Sequence, residues 1–380
     1  MPGTAPSHVG LNSPYFFSLC LTSANPPYQQ ESENSSSKTN GQKPMTNIFH
    51  YFQQQADEIS KESSVMIYPG GRWIHQSGKG VKEFGKRQIN DPTLSTVEFY
   101  PNASDVFGKS TNLADGVTIV TKKKFHVGDG FNYIYNKDGR ETVVYAQHPG
   151  DKLMPLNPFD LPIMQKIDKV VENRGWTFLH DAILPRSLFG IESDFAEKNP
   201  DKVKLFDGTN IDYDKGEIKL FTNDKAGKAG RATWFVADGD IIKNNSEYIN
   251  QWQVVVSSAN AGGKKRDNQL AIMDNHSAFG RARLALRSFK TSEEAENFYR
   301  YVDSYLIKYM FLLTDEALSA LGKEVPDVGD YRPDNGYIDF KEDVDKQLFQ
   351  IFGLSNDEIE YIKSVVDGLR KKGDGINAKA

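Results

Sequence analysis

Apolar positions in the first third of the chain come in short blocks separated by polar turns that carry Gly and Pro. Residues 15–24 form an apolar run, predicted as a strand. Over residues 45–59, Ile48, Phe49, Phe52, Ala56 and Ile59 recur at helical spacing and are expected to share one face. Val65-Met66-Ile67-Tyr68 runs into Pro69-Gly70-Gly71, a strand entering a turn. Residues 78–90 suit a helix, and 94–100 and 117–121 suit further strands. Strand and helix alternate here, which is the pattern of one half of a doubly wound α/β sheet.

A change of texture falls near residue 150, where Pro155, Pro158 and Pro162 punctuate the chain. Residues 161–173 read as a helix. Short β-like runs with glycine turns follow to about residue 290, among them 218–222, 232–236 and 252–256. Residues 292–322 read as one long helix, opened by Ser292 with Glu293 and Glu294 in its first turn. Residues 343–371 carry two shorter helices. Residues 1–14 read as a disordered tail and 29–44 as a mobile polar loop.

Composition narrows the class. The chain has 380 residues, 38% hydrophobic and 26% charged, which fits a globular protein of more than one domain. Its net charge of -5 argues only weakly against a nucleic-acid partner, because binding needs local rather than global positive charge. With Cys20 the one cysteine, a disulfide framework is excluded, a Cys-based zinc site is not expected, and a cytoplasmic location fits. Seven histidines show no metal-ligand spacing. No apolar stretch has the length of a membrane span, and the run at 15–24 lacks the Lys or Arg ahead of it that a secretory signal requires.

The strongest chemical pattern is Asn25-Pro26-Pro27-Tyr28, which follows an apolar run and precedes a polar loop. The Asn25 side-chain carbonyl and the Pro26 backbone carbonyl can accept hydrogen bonds from an amino group. Tyr28 can stack on an extruded ring, and the prolines stiffen the loop. The tetrapeptide resembles the signature of enzymes that methylate an exocyclic amino group, typically N6 of adenine in DNA. The order downstream, with Pro69-Gly70-Gly71-Arg72-Trp73, then 97–107, then 113–120, is similar to the catalytic half of such enzymes.

Later segments extend the resemblance from residue 15 to the C-terminal region. Leu184-Pro185-Arg186-Ser187-Leu188-Phe189-Gly190-Ile191 is similar to the opening of the target-recognition domain of certain type II restriction-modification methyltransferases, and 219–223, 252–259, 289–297, 337–340 and 348–359 fit the same family. The resemblance implies an α/β partial Rossmann-like methyltransferase half-sheet over 15–150, followed by an α+β target-recognition domain over 151–380. It implies Asn25, Pro26, Pro27 and Tyr28 as catalytic residues, S-adenosylmethionine as cofactor and double-stranded DNA as partner. The family's Gly-rich donor loop and the acidic residue for the donor's ribose should lie upstream of Asn25 and are not found, and Val127-Gly128-Asp129-Gly130-Phe131 reads as a turn between strands. The expectation is a truncated enzyme, or one whose donor-binding half, like any nuclease, resides on another polypeptide.

Three other patterns carry weaker readings. Lys264, Lys265, Arg266, Arg281, Arg283 and Arg287 form basic clusters within the expected recognition domain and are candidate phosphate contacts. Asp212 or Asp214 with Glu217-Ile218-Lys219 resembles a nuclease metal site, though such triplets are common on exposed strands. Residues 103–110 fit a relaxed phosphate-loop pattern but lead into a strand rather than a helix. The alternatives to a methyltransferase are therefore a non-catalytic DNA-binding module and a Mg²⁺-dependent nuclease.

Overall fold

The computed structural model describes residues 19–31, 45–76, 80–108, 113, 115–126, 128–264, 266–314, 318 and 320–377. The expectations for 1–18, 32–44, Lys109, Ser110 and Lys265 lie outside the described residues. The chain divides into two compact units, Met1–Pro158 and Phe159–Ala380.

The first unit runs through β1 (Leu19–Ala24), β2 (Gln29–Glu31), β3 (Met45–Asn47), α1 (Phe49–Ile59), β4 (Ser60–Pro69) and α2 (Lys82–Ile89). It continues through β5 (Leu94–Tyr100), α3 (Ser104–Phe107), β6 (Val117–Lys123), β7 (Gly130–Lys137) and β8 (Arg140–Gln147). Six of these strands form a mixed sheet in the order β1-β4-β6-β5-β7-β8. β1 and β4 are parallel across α1, but β6 inserts antiparallel between β4 and β5, so β5 is not the sheet neighbour of β4.

The period-2 pattern of β4 explains which side is covered. Ser64, Met66 and Tyr68 are buried, whereas Val65 and Ile67 between them are only partly covered. α1 and α2 pack on the buried side, where Tyr68 meets Phe49 of α1 at 5.1 Å and Phe84 of α2 at 5.7 Å. Val97, Phe99, Val120, Phe131 and Tyr133 complete that core.

The inward face of α1 differs from the spacing's expectation. Phe52 is 40% exposed, and Gln53 is buried beside Phe49 and Ala56. A buried amide costs free energy unless paired. Gln53 is paired on both sides: it accepts from the Tyr68 hydroxyl at 2.5 Å and donates to Asp57 at 2.7 Å.

The second unit opens with α4 (Asp160–Arg174), which stops at Gly175 in the left-handed region, φ 64. β9 (Thr177–Phe178), α5 (Phe195–Lys198), β10 (Val203–Leu205), β11 (Glu217–Asn223), β12 (Ala232–Asp238), β13 (Trp252–Ser257), β14 (Ala271–Met273), β15 (Ser277–Phe279) and β16 (Arg283–Phe289) follow. The chain closes with α6 (Ser292–Asp303), α7 (Tyr305–Leu313), β17 (Pro326–Asp327), α8 (Val344–Ile351) and α9 (Asn356–Asn377). A four-stranded sheet, β10-β12-β11-β15, and a three-stranded sheet, β14-β13-β16, supply most of the strand pairing. One core gathers Leu220, Phe235, Ala278 and Phe279 around the larger sheet. Another gathers Ile163, Phe298, Tyr301, Tyr309, Leu348 and Ile362 among the helices.

The single helix expected over 292–322 is two helices with a break at Ser304. Apolar residues continue at helical spacing through the break, which hides it from pattern reading. The backbone of Ser304 is extended, at φ -65 and ψ 155, and its hydroxyl accepts from the Ile307 N–H at 3.4 Å, so it caps α7. α6 begins one residue earlier than its first-turn acids imply. Thr291 is the N-cap, and its hydroxyl accepts from the Glu294 N–H and donates to the Glu294 carboxylate at 2.8 Å. No helix among the described residues is long and apolar enough to cross a membrane.

Candidate functional site

Asn25-Pro26-Pro27-Tyr28 leaves the C-terminal end of β1, the strand paired parallel with β4. Because β4 and β5 both run antiparallel to β6, the loops after β1, β4 and β5 and the turn before β6 all emerge at one end of the sheet. That end of parallel strands is where open α/β sheets present their ligand-binding loops.

The loop is held by its neighbours rather than by its own length. Pro26 is buried, Asn25 and Pro27 are exposed, and Tyr28 is partly buried. The Tyr28 carbonyl accepts from the Ile48 N–H at 2.9 Å. Directly beyond it β2 and β3 pair antiparallel, and the Gln29 amide donates to Asn47 at 3.1 Å. The Tyr28 hydroxyl donates to Oδ1 of Asn25 at 2.8 Å. Burial raises the pKa of that phenol, which keeps it a proton donor at neutral pH.

The adjoining turn after β4 is equally well fixed. Gly70 donates its N–H to the Gly116 carbonyl at 2.8 Å. The buried indole of Trp73 donates to the Thr118 hydroxyl at 2.8 Å, and that hydroxyl donates to the Gly70 carbonyl at 3.1 Å. Arg72 pairs with Asp115 at 2.9 Å. After β5, Asn102 accepts from the Ser104 N–H at 3.2 Å and opens α3. Strand order and direction bring residues 25–28, 69–73, 101–107 and 115–117 to one end of the sheet.

At the opposite end Lys122, 5% exposed, lies between two carboxylates, 2.7 Å from Asp57 and 2.5 Å from Asp91. Burial opposes ionisation of Asp91, but Lys122 and the Thr93 hydroxyl and N–H outweigh it and hold its pKa below the ordinary value. This arrangement fastens α1 to β5 and β6. No sequence pattern marked it, because its members are scattered over 57–122.

The basic residues of the second unit have unlike surroundings. Lys264 and Arg266 are exposed on the loop between β13 and β14. The Arg283 guanidinium donates to the Gln269 carbonyl of that loop at 2.9 Å, lies 5.0 Å from the ring centre of Phe221, and has its pKa lowered by burial. Arg281 pairs with Glu192 at 2.9 Å in an exposed contact. Arg287 is turned inward: its guanidinium pairs with Asp327, which is 2% exposed, and donates to the Gly329 carbonyl at 3.0 Å. Its donors serve the core, which sets it apart from the other basic residues.

The carboxylates of the nuclease-like triplet are also engaged in local ties. Glu217 accepts from the Asp212 N–H at 2.8 Å, Asp212 pairs with Lys215 at 2.8 Å, and Lys219 pairs with Asp274. Among the described residues, no group of three or more His, Cys, Asp or Glu side chains is placed to hold a metal ion.

On the described sheet β1 is the edge strand, and Asp115 at the loop end is tied to Arg72. Gly130, at the end of the glycine turn before β7, serves the strand pairing: a Cβ there would stand 2.1 Å from the Ala146 carbonyl oxygen, so glycine permits β7 to pair closely with β8.

Comparison with known proteins places a match on this same part of the chain. Residues 24–107 match the family model described as Eco57I restriction-modification methylase. No curated protein matches. Among solved structures, the type IIG restriction endonuclease BpuSI is 10% identical, over 94% of this chain and 54% of that chain, with a TM-score of 0.34. The type IIL restriction-modification enzyme MmeI, in complex with DNA, is 8% identical, over 85% of this chain and 51% of that chain, with a TM-score of 0.32. The chain thus spans about half the length of these two structures. What it shares with a restriction-modification methylase is the segment 24–107, which carries Asn25–Tyr28 and the loops after β4 and β5 at the same end of the sheet.

Proposed function

We propose that this chain carries the base-gripping part of a DNA adenine-N6 methyltransferase of the restriction-modification type, together with a DNA-recognition unit. The observation that carries the reading is the seating of Asn25–Tyr28 at the C-terminal end of parallel β1, inside the segment that matches the methylase model. In this reading an adenine leaves the duplex and its amino group meets two acceptors, Oδ1 of Asn25 and the Pro26 carbonyl. Those acceptors direct the two N–H bonds and leave the nitrogen lone pair free to react. The Tyr28 ring supplies the stacking surface. The contribution is one of positioning and fixed dipoles, with no covalent intermediate on the protein.

S-adenosylmethionine is the donor such chemistry uses. DNA would be held by Lys264, Arg266, Arg281 and Arg283, whose loop and strand lie together around Gln269 and Phe221. Arg287 stays outside this surface.

Equilibrium binding of a duplex with one unpaired adenine, against the same duplex with an abasic site, tests the reading. The adenine duplex is expected to bind more tightly, and Asn25→Ala to reduce the difference. Equal binding of the two duplexes by the wild-type chain would overturn it.

A further inference from the structure

The contact between Tyr28 and Asn25 has a consequence for entry of the base. The phenol oxygen stands 2.8 Å from Oδ1 of Asn25, the distance at which the nitrogen of an amino donor would sit. A phenol that donates to Oδ1 also turns the edge of its ring toward Asn25. Stacking needs the ring's face against the base, one ring thickness above the plane that contains the amino group. One ring cannot satisfy both arrangements.

The anchoring of the loop shows which part is free to change. The Tyr28 backbone is tied by the Ile48 N–H, and the β2-β3 pair follows at once. The side chain can leave its contact by rotation about its own torsions while the loop stays in place. The phenol keeps its proton well beyond neutral pH, so the contact does not lapse through ionisation.

From these observations we infer that Tyr28 is a latch on the base site: in the free protein its hydroxyl occupies the acceptor of Asn25, and an exocyclic amino group enters by displacing it, which releases the ring to stack. This rests on the proposed reading of Asn25–Tyr28 as a base site and adds an order of events to it. The wild-type chain gives up the Tyr28 hydrogen bond when the base bonds to Asn25. A variant without the hydroxyl has nothing to give up.

The test compares two duplexes that share one unpaired position, occupied either by adenine or by purine, which lacks the amino group. The quantity read is the ratio of the two affinities. Tyr28→Phe keeps the stacking ring and removes the latch, and it is expected to raise the adenine-to-purine ratio roughly two- to tenfold, the range of one net neutral hydrogen bond. Asn25→Ala should lower the ratio in the wild-type background and abolish the gain from Tyr28→Phe, since the latched acceptor is then gone while the Pro26 carbonyl remains. Thermal melts of each variant check that the fold is kept. A wild-type ratio above one that Tyr28→Phe leaves unchanged or lowers sinks the latch and leaves the base site standing. A ratio of one in the wild type, Tyr28→Phe and Asn25→Ala alike sinks both.

Discussion

The hydroxyl of Tyr309 in α7 donates to the carboxylate of Asp160 at the start of α4, at 2.6 Å, and Tyr361 of α9 donates to the same oxygen at 2.8 Å. One carboxylate, 6% exposed, thereby joins three helices. Burial raises its pKa from 3.8 to about 6, against the opposing effect of the two phenols. The folded state therefore holds a proton on Asp160 between about pH 4 and 6 that the unfolded state has released. Stability from this group is complete below pH 4 and falls as the pH rises to 6, by at most about 3 kcal/mol. Asp160→Asn should remove that slope. Urea unfolding at intervals from pH 4 to 7 should show the wild type losing ground to the variant as pH rises, and parallel curves would refute the assignment.

Arg287 and Asp327 form a pair whose acid is nearly inaccessible. Removing the guanidinium strands a buried carboxylate, for which about 3–5 kcal/mol is a typical loss. Arg287→Met should lower the urea midpoint by that measure. DNA binding by the folded fraction should keep its salt dependence, and a reduced salt slope would return Arg287 to the list of phosphate contacts.

Gly85 lies inside α2, where alanine would ordinarily be favoured by about 1 kcal/mol. A Cβ there would stand 2.1 Å from the Trp73 carbonyl oxygen. Backbone cannot yield as a flexible side chain would, so the sign reverses. Gly85→Ala is expected to destabilise the first unit by about 1–3 kcal/mol, in the range of overpacked cores. A stabilised variant in denaturant melts would show that α2 does not approach Trp73 so closely.

If Lys264, Arg266 and Arg281 meet phosphates, each contributes about 0.9 to the slope of log affinity against log salt. The triple alanine variant should bind duplex DNA with a slope shallower by about 2–3. Fluorescence anisotropy at 50–200 mM salt, about the range where such differences are largest, measures it. An unchanged slope would move the interface elsewhere on the chain.

Much of the local structure could be read from residue order alone. The apolar runs at 65–68, 94–100 and 252–256 are strands because short apolar runs rich in β-branched and aromatic residues suit a covered strand, and Asn25–Tyr28 stands out because two prolines between an amide and a phenol fix a short chemical geometry. What pattern cannot encode is which distant partner a group will meet. Arg281, Arg283 and Arg287 look alike in sequence, yet one pairs at the surface, one lies along Phe221 and one is sunk beside Asp327. Gln53 replaces Phe52 on the buried face of α1 because Tyr68 and Asp57 satisfy its amide, and both contacts depend on how α1 packs on the sheet.

The sequence by itself marked several of the strands and most helices and singled out the Asn25–Tyr28 loop, since these follow from local spacing and from groups adjacent in the chain. Only the tertiary structure decided the insertion of β6 between β4 and β5 and the convergence of four loops at one end of the sheet. Those depend on strand register and on free energies shared among residues far apart in sequence, which no local pattern records.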